Sequence, residues 1–363
     1  MNLKGLILAA GSGTRLRPLT DTRPKPLVSV AGRTLLEHNI DKMVAAGIDN
    51  IIIVIPQNTT TQLSAFLKGR YPNISLDFVE QTQALGTAHA VDVAKSQIGA
   101  SDFLMVYGDN LTGYDYSKLI KQHKSNVSSA TMALMHADEP RKHGIVEING
   151  ARITDIVEKP ENPKSDLAFA GMCVFTPDIF EAIGHTEKSP RGEYYLTDSL
   201  QILIEWEQQI GYAILDTWRL NVNDHKDLLK ANRFLLSEES SVSFGVVNQN
   251  EPTKPPRAGT GGARIIPPVF IGAEARIGDN AVIGPYVTLE QATIVGENTR
   301  IKNSVLLSRA NIGNNCFITN SILGENSCVA DEFHTSESES VALVLGDGEW
   351  NSEFRVRNAE LFP

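Results

Sequence analysis

The chain has 363 residues, a formal net charge of −10 at pH 7 and an apolar fraction of 42%. This length allows two domains with sizeable cores and excludes a single small module. The sequence pI near 5.4 argues against a general nucleic-acid binder, because such proteins need broad basic surfaces.

Neither a membrane anchor nor a disulfide framework is expected from the sequence. No apolar run has membrane-spanning length, and the amino terminus leads directly into a first strand without a signal-peptide pattern. Cys173, Cys316 and Cys328 lie far apart and lack metal-ligand spacing, so we expect reduced, apolar side chains and no zinc. These features together predict a cytoplasmic protein.

The first apolar run of the chain ends in a glycine loop. Residues 6–9 predict a buried strand, and Gly11 and Gly13 allow a sharp turn whose backbone N–H groups can approach an anion. Four basic side chains follow this turn: Arg15, Arg17, Arg23 and Lys25. Prolines at 18, 24 and 26 are expected to prevent a long helix and to hold this arm in an extended path.

This loop does not match two common phosphate-binding motifs. A Walker loop would place a Lys-Ser/Thr pair after Gly13, and the dinucleotide fingerprint would place a third glycine at Leu16. The run Gly-x-Gly-Thr-Arg-Leu-x-Pro-Leu-Thr, followed by Pro-Lys-Pro, instead closely resembles the signature of sugar-1-phosphate nucleotidyltransferases, the NDP-sugar pyrophosphorylases. We find this resemblance over roughly the first 235 residues.

The resemblance implies a nucleoside triphosphate site in this loop. Arg15 and Lys25 match the residues that neutralise the phosphates, whereas we interpret Arg17 and Arg23 as a solvated face. The loop residues implied in nucleotide binding are Ala10, Gly11, Ser12, Gly13 and Thr14.

Alternating helix and strand patterns predict an α/β fold for residues 1–237. The expected architecture is a Rossmann-like mixed, mostly parallel sheet with helices on both faces, which binds its ligands at the carboxyl ends of the strands. Strands are predicted at 51–55, 74–79, 103–107 and 130–135, with further strands within 144–175. Helices are predicted around 36–44 and at 87–96, 116–124, 177–184, 197–209 and 224–236.

A Ser-, Asn-, Pro- and Gly-rich linker is predicted at 238–262, followed by an internal repeat. Aliphatic residues recur every sixth position, and after a one-residue slip the pattern resumes at Ile312 and Ile318; the ladder before the slip is Ile265, Ile271, Ile277, Ile283, Leu289, Val295, Ile301 and Leu307. This pattern predicts a parallel β-helix over 263–330. Its resemblance to hexapeptide proteins implies a left-handed coil with about three hexads per turn. Residues 331–363 are expected to form a capping tail with a strand at 341–345 and with Phe354 and Phe362 beyond it.

Asp109 is the leading candidate for a metal ligand. It follows an apolar strand in Tyr-Gly-Asp-Asn and resembles the Gly-Asp at a strand end of the family, although an Asx turn is the simpler interpretation of this tetrapeptide alone. The resemblance places the second ligand near Trp218, where Asn221 and Asn223 both stand close to the expected aspartate position and the choice stays open. Magnesium is the expected ion, because it prefers oxygen ligands and can bridge phosphate oxygens.

Base recognition is expected in residues 80–90. Gln81 offers both a donor and an acceptor to uracil or thymine, as in pyrimidine-using relatives, and Gln83 is its rival. Gly86 and Thr87 open a helix, so their N–H groups can face a base or a phosphate or can simply begin a capped helix. We interpret His89 as a packed helix residue, since the reaction needs no general base.

Two further segments resemble the sugar-binding elements of the family. His143-Gly144-Ile-Val-Glu and Glu158-Lys159-Pro imply that the glutamate binds sugar hydroxyls and that the lysine meets the sugar phosphate. Gly171 stands where relatives have Asn-Thr-Gly or Val-Thr-Gly, which implies a close approach to the sugar without an asparagine. Arg191-Gly-Glu193 and Thr197-Asp198 also match and imply supporting loops.

These motifs predict a magnesium-dependent sugar-1-phosphate nucleotidyltransferase. We expect dTTP or UTP and glucose-1-phosphate as substrates, no nucleic-acid or membrane partner, and a homo-oligomer formed through the β-helix. Guanylyl transfer to mannose-1-phosphate is the near alternative. Acyl transfer by the β-helix is disfavoured because residues 263–330 contain no histidine, and a nucleotide-sugar sensor without activity stays open because of the two asparagines.

Overall fold

The computed structural model describes residues 3–126, 128–237, 246–247, 262–336 and 340–350. It divides into two compact units. The first comprises Met1–Ser12 and Leu36–Arg219, and the second comprises Gly13–Leu35 and Leu220–Pro363. The arm that carries Arg15 and Lys25 therefore groups with the hexapeptide repeat, although the sequence assigns it to domain 1–237.

The first unit is built on a nine-stranded mixed sheet. Its strands are Lys4–Leu8, Asn50–Pro56, Ser75–Gln81, Phe103–Tyr107, Ala130–His136, Gly144–Asn149, Arg152–Glu158, Leu167–Phe175 and Ile210–Ile214. The first four are parallel neighbours, and the long strand Leu167–Phe175 is antiparallel to the three strands beside it. The predicted α/β fold with a mixed sheet is confirmed.

The central strands form the core because both of their faces are covered. Ile51, Ile53 and Ile55 have no exposed surface, as expected for an uninterrupted aliphatic run in a parallel sheet. Phe103 packs against Phe175 with ring centroids 5.4 Å apart. This buried middle gives the loops at the strand ends a rigid base.

The helices match the predicted positions with two differences. The helix predicted at 87–96 is two short helices, and a helix at Thr60–Leu67 was not predicted because only Leu63 and Leu67 of its residues are buried, too few to show a helical period. The helices are Leu35–Ala45, Thr60–Leu67, Thr87–Asp92, Lys95–Ile98, Tyr116–Ser125, Ile179–Gly184, Leu196–Glu205 and His225–Leu236, with a 3-10 turn at Pro140–Lys142. No helix among the described residues is long and apolar enough to cross a membrane.

The second unit contains the predicted β-helix as three sheets of short parallel strands. Its strands are Arg264–Ile265, Val269–Ile271, Arg276–Ile277, Val282–Ile283, Val287–Leu289, Ile294–Val295, Arg300–Lys302, Val305–Leu306, Asn311–Ile312, Phe317–Thr319, Ser321–Leu323, Cys328–Val329 and Leu343–Leu345. Short strands at Ser29–Val30, Arg33–Thr34, Arg219–Asn221 and Val246–Val247 complete the set outside the coil, with Asn110–Thr112 in the first unit. The arrangement fits the predicted left-handed coil.

One position of the predicted ladder is wrong. Leu306, not Leu307, pairs with Leu289 below and Leu323 above, so the slip follows Ile301 rather than Leu307. Both leucines are buried, and the aliphatic pattern alone could not distinguish them. The predicted capping strand is confirmed at Leu343–Leu345, parallel to Ser321–Leu323. Most of the predicted linker, together with Phe354 and Phe362, lies outside the described residues.

The arm at Gly13–Leu35 does not follow the predicted extended path. It forms three 3-10 turns, Thr14–Leu16, Leu19–Asp21 and Lys25–Leu27. Leu16 and Leu19 are fully buried, so the turns serve to direct their side chains inward. The prolines are compatible with such single turns and prevent only longer helices.

Candidate active-site residues

Asp109 lies in a loop whose backbone is held on both sides. The backbone amide of Gly108 donates to the Leu8 carbonyl at 2.9 Å. A Cβ at position 108 would lie only 3.0 Å from that carbonyl oxygen, so a glycine suits this contact. The buried Asn39 Nδ2 donates to the carbonyls of Gly108 and Asn110, both at 3.2 Å. The sequence alone does not indicate this role of Asn39, because a single asparagine in a helix belongs to no motif. The carboxylate of Asp109 therefore stands on a rigid loop.

A half-buried arginine, Arg219, lies beside this loop. Arg219 Nη2 donates to Asn110 Oδ1 at 2.7 Å, and Asn110 Nδ2 donates to the Ala170 carbonyl at 2.8 Å. Burial lowers the pKa of Arg219, against the opposing influence of the nearby Asp109. The sequence alone does not mark Arg219 as a site residue, because a single basic residue after a tryptophan matches no family motif.

The predicted sugar residues Gly144, Glu158 and Lys159 come together at one end of a hairpin. Glu158 is paired with Gly144 across the two strands, and its carboxylate contacts Lys159 Nζ at 3.0 Å and accepts a hydrogen bond from Thr197 at 3.0 Å. Lys159 Nζ also lies 5.3 Å from the centre of the Tyr195 ring. A Cβ at Gly144 would be 2.6 Å from Thr197 and 3.0 Å from the Glu158 carboxylate, so only glycine fits there.

Gly171 packs against the strand that leads to Asp109. Its φ is +73°, and a Cβ would lie 2.5 Å from the Tyr107 ring and 2.6 Å from Asn110 Nδ2. This close packing explains why position 171 is a glycine, whether or not the residue also approaches a sugar. Burial raises the pKa of Tyr107, and the charge of Glu158 raises it further.

The side chain of Gln81 has a defined orientation. Its Nε2 donates to the Gly86 carbonyl at 3.2 Å and lies 2.9 Å from His89 Nδ1. Because a carbonyl only accepts, the Gln81 atom beside the Gly86 carbonyl must be the amide nitrogen. His89 Nδ1 then accepts the second N–H of that amide. His89 itself is half-buried in helix Thr87–Asp92, and its contact with Gln81 adds a polar partner to its predicted packing. The rival, Gln83, is exposed.

Gly86 and Thr87 are tied to a distant segment of the same unit. Gly86 has φ +103°, and a Cβ there would lie 2.5 Å from the Tyr194 carbonyl. The Ala88 amide donates to that same carbonyl at 3.0 Å, and Thr87 Oγ1 accepts from the Leu196 amide at 3.0 Å. The helix start next to Gln81 is thereby fixed against the segment that also carries Tyr195.

The glycine loop is shared between the two units. Ala10, Gly11 and Ser12 follow the first strand in the first unit, and Gly11 and Ser12 are exposed. Among the described residues, no atom lies within 4 Å of the place a Cβ would take at Gly11. The loop backbone at Gly11 is therefore open to a ligand.

In the second unit, Gly13 and Lys25 are neighbours. Gly13 has φ +66°, and a Cβ there would lie 3.1 Å from Lys25 Cβ. Thr20 Oγ1 donates to the Gly13 carbonyl at 2.8 Å. Thr14 and Arg15 are exposed in the turn that follows. The arm therefore folds Lys25 back toward the glycine turn.

Arg23 is not part of a solvated face, which corrects the sequence interpretation. Its Nε and Nη2 donate to the two carboxylate oxygens of Asp347 at 2.9 and 2.8 Å, and Nη2 also contacts Glu325 at 3.0 Å. The Arg23 side chain is only 11% exposed. These contacts fasten the arm to the β-helix, and sequence could not show them because the partners lie some three hundred positions away. Arg17 is exposed as expected and pairs with Asp21.

Of the two asparagines, Asn221 is the better candidate for a metal ligand. Its Oδ1 is buried and has no hydrogen-bond partner within the part of the chain that the structure describes. At Asn223 the backbone N–H donates to Asp227 Oδ2 at 3.0 Å, next to Asp224, which caps helix His225–Leu236. An unpartnered buried side-chain oxygen fits a cation, and of the two asparagines only Asn221 has one.

Hard divalent ions take oxygen ligands from carboxylates and side-chain amides. The described residues include no cluster of three or more His, Cys, Asp or Glu side chains that could hold a metal by themselves. Asp109 in the first unit offers a carboxylate and Asn221 in the second an amide oxygen. Both are oxygen donors of the kind that Mg²⁺ prefers.

Two family models match most of the chain. Residues 4–238 match the nucleotidyl transferase family, and residues 265–363 match the GMPPB C-terminal domain. A glucose-1-phosphate thymidylyltransferase of Streptomyces antibioticus is 32% identical, over 95% of this chain and 98% of its own length. The Haloferax volcanii low-salt glycan biosynthesis nucleotidyltransferase Agl11 is 31% identical, over 98% of this chain and 100% of its own.

A solved structure extends the likeness to the fold. A Bacillus anthracis protein assigned as a glucose-1-phosphate thymidylyltransferase superposes with a TM-score of 0.60 at 27% identity, covering 67% of this chain and 97% of its own. The chain therefore belongs to the nucleotidyl transferase family. Within that family it is a sugar-1-phosphate nucleotidyltransferase with a carboxy-terminal β-helix.

Proposed function

We propose that this enzyme transfers a nucleotidyl group from dTTP or UTP to glucose-1-phosphate, with Mg²⁺, and releases pyrophosphate. The observation that carries this proposal is the cluster of Lys159, Glu158, Thr197 and Gly144, which places a cation and a hydroxyl-binding carboxylate side by side. The thymidylyltransferase relatives support glucose-1-phosphate as the sugar substrate. The cytoplasmic location and a homo-oligomer through the β-helix stay predictions.

The chemistry is a single in-line displacement. An oxygen of the sugar phosphate forms a bond to the α-phosphorus, while the bond from that phosphorus to the β-phosphate bridging oxygen breaks, and its electron pair leaves with pyrophosphate. The attacking oxygen is already ionised at neutral pH, so the side chains position the substrates and neutralise charge rather than remove a proton. Asp109 and Asn221 would hold a Mg²⁺ ion, whose charge would offset that of the phosphate groups.

Each cationic residue has a distinct role in this proposal. Arg15 and Lys25 bind the triphosphate beside the glycine loop, and Lys159 binds the phosphate of the sugar. Glu158 accepts hydrogen bonds from sugar hydroxyls, with Thr197 fixing its orientation. Asp109 and Asn221 are the proposed metal ligands.

The orientation of Gln81 supports a base with a ring N–H group. Both amide N–H donors of Gln81 face Gly86 and His89, so Oε1 is the atom that can meet a ligand. Uracil and thymine offer N3–H to such an acceptor, whereas the equivalent ring nitrogen of adenine and cytosine has no hydrogen. Guanine has N1–H, so guanylyl transfer to mannose-1-phosphate is the second candidate.

A pyrophosphate-release assay tests the proposed function directly. The chain would be assayed with five nucleoside triphosphates against several sugar-1-phosphates, with Mg²⁺ and with a chelator. We expect the highest kcat/KM for dTTP or UTP with glucose-1-phosphate and no turnover without the metal. Turnover confined to GTP and mannose-1-phosphate would favour the second candidate, and no turnover with any pair would contradict both.

Gln81→Ala is expected to reduce base discrimination. We expect the ratio of kcat/KM for the preferred pyrimidine nucleotide over CTP to fall at least about tenfold, because the acceptor for the ring N–H is lost. Gln83→Ala is the matched control, since that glutamine is exposed two residues away. If Gln83→Ala changed the ratio and Gln81→Ala did not, the rival assignment would be correct.

Lys159→Met is expected to weaken use of the sugar phosphate selectively. Loss of a charge-assisted contact predicts an increase in KM for glucose-1-phosphate of about 10- to 100-fold, with little change in KM for the nucleotide. Lys164→Met serves as the control, because Lys164 is exposed and pairs with Glu147. Steady-state kinetics with each substrate varied in turn would test this, and equal effects on both KM values would contradict it.

A further inference from the structure

We propose that Arg219 is a second cation for the sugar phosphate, acting with Lys159. This inference rests on the proposed function and adds a substrate-binding residue that no motif of the sequence identifies. Arg219 lies in the same unit as Asp109, Lys159 and Gly171, and it is hydrogen-bonded to the residue that follows Asp109.

The guanidinium of Arg219 keeps an unused donor among the described residues. Its side chain donates a hydrogen bond to Asn110 Oδ1 at 2.7 Å and makes a weak contact from Nη1 to Met135 Sδ at 3.5 Å. Its Nε is buried and has no hydrogen-bond partner among the residues that the structure describes. Over those same residues, no carboxylate pairs with the guanidinium within the 4.0 Å that defines an ion pair.

A guanidinium whose Nε is buried without a partner is costly unless an anion completes it. Arginine offers five N–H donors in a planar fork that matches the oxygens of a phosphate group, and the two contacts above use two of them. The Asn110 side chain is fixed, because its Nδ2 donates to the Ala170 carbonyl. Asn110 therefore offers Arg219 only its Oδ1, and Arg219 Nε stays without an acceptor among the described residues.

The surroundings of Arg219 favour the sugar phosphate as the anion. Asn110, whose Oδ1 accepts from Arg219, packs against Gly171 of the predicted sugar site, with its Nδ2 2.6 Å from the place that a Cβ would take there. Arg219 and Lys159 also both act on His143: burial is the main cause of its lowered pKa, and these two positive charges lower it further. The Lys159 amide donates to the His143 carbonyl at 3.0 Å, so the lysine and the histidine are adjacent. The positive charge of Arg219 therefore extends to the cluster where the sugar phosphate is proposed to bind.

The competing explanation is that Arg219 only holds Asn110 in place. The two roles differ in their effect on the protein without ligand. An arginine whose job is to support Asn110 stabilises the free protein, whereas an arginine awaiting an anion carries an uncompensated burial cost until that anion binds.

Arg219→Met and Arg219→Lys distinguish these roles by thermal unfolding with and without glucose-1-phosphate. For Arg219→Met we expect a melting temperature without ligand equal to or above the wild type, and loss of most of the increase that glucose-1-phosphate causes. We also expect KM for glucose-1-phosphate to rise about 10- to 100-fold while KM for the nucleotide stays within about twofold. Arg219→Lys, which keeps the charge, should retain part of the thermal shift.

The result that overturns the proposal is a lower melting temperature for Arg219→Met with an undiminished shift by glucose-1-phosphate. If Arg219→Met cannot be purified, Arg219→Lys decides: a lower melting temperature with an unchanged shift by glucose-1-phosphate would show a structural role. The same thermal unfolding would be measured with UTP and with inorganic pyrophosphate. An Arg219→Met protein that lost only the melting-temperature increases caused by these two ligands would also contradict the assignment. Because these arms measure binding, absence of turnover in the wild type would count against the proposed function alone.

Discussion

Asp109→Asn is expected to lower kcat by about 10³-fold at saturating substrates and Mg²⁺. The variant keeps the shape of the side chain, and the loop stays fixed by Asn39 and by the Gly108 amide. What it removes is charge. Asn221 is neutral, so Asp109 supplies the only carboxylate among the proposed metal ligands, and its loss leaves the ion with amide and substrate oxygens.

The measurement is kcat as a function of Mg²⁺ concentration. Asn221→Asp makes the opposite change and should lower the Mg²⁺ concentration for half-maximal activity. Asp92→Asn is the control for loss of one negative charge, because Asp92 is exposed in the same unit, and we expect a change within about twofold. An Asp109→Asn enzyme that matched wild-type kcat throughout the titration would exclude Asp109 as a ligand.

The sequence was sufficient to predict elements whose signal is local. Phe103–Tyr107 was predicted at its observed bounds because its apolar run ends in Gly108 and Asp109, which terminate the strand. The β-helix was predictable because one inward aliphatic position repeats along the coil. Lys159, Glu158 and Gly144 could be grouped because each belongs to a short motif at a strand end.

The features that sequence missed depend on contacts between distant residues. Partners elsewhere in the chain decide whether an arginine side chain is solvated or enclosed. The residues next to Arg23 and Arg219 in the sequence therefore do not distinguish them from the exposed Arg17. The slip in the β-helix was misplaced because Leu306 and Leu307 are equally apolar, and only strand pairing selects one of them. Asn39 was missed because its contacts are with backbone atoms, which carry no sequence signature.

Arg23→Ala is expected to destabilise the second unit by about 3 kcal/mol, because its removal leaves the largely buried Asp347 without a cation, whereas Glu325 keeps its ion pair with Arg309. Asp347 is 16% exposed and Glu325 33% exposed, and both lose their contact with Arg23. Glu290 is affected as well, since burial already raises its pKa and the Arg23 charge opposes that shift. For a unit of this size we expect the melting temperature to fall by about 10 °C.

The same variant should raise KM for the nucleotide, because Lys25 stands two residues further along the arm that Arg23 fastens to the β-helix. Thermal unfolding and nucleotide-dependent kinetics would be measured for Arg23→Ala, Asp347→Ala and the double variant. Because the two residues share one interaction, the double variant should lose less stability than the two single losses added together. Arg17→Ala is the matched control: its pair with Asp21 is exposed, so its loss should cost less than about 1 kcal/mol. Strict additivity, or an Arg23→Ala protein as stable as Arg17→Ala, would show that the arm is held by its buried leucines and not by this ion pair.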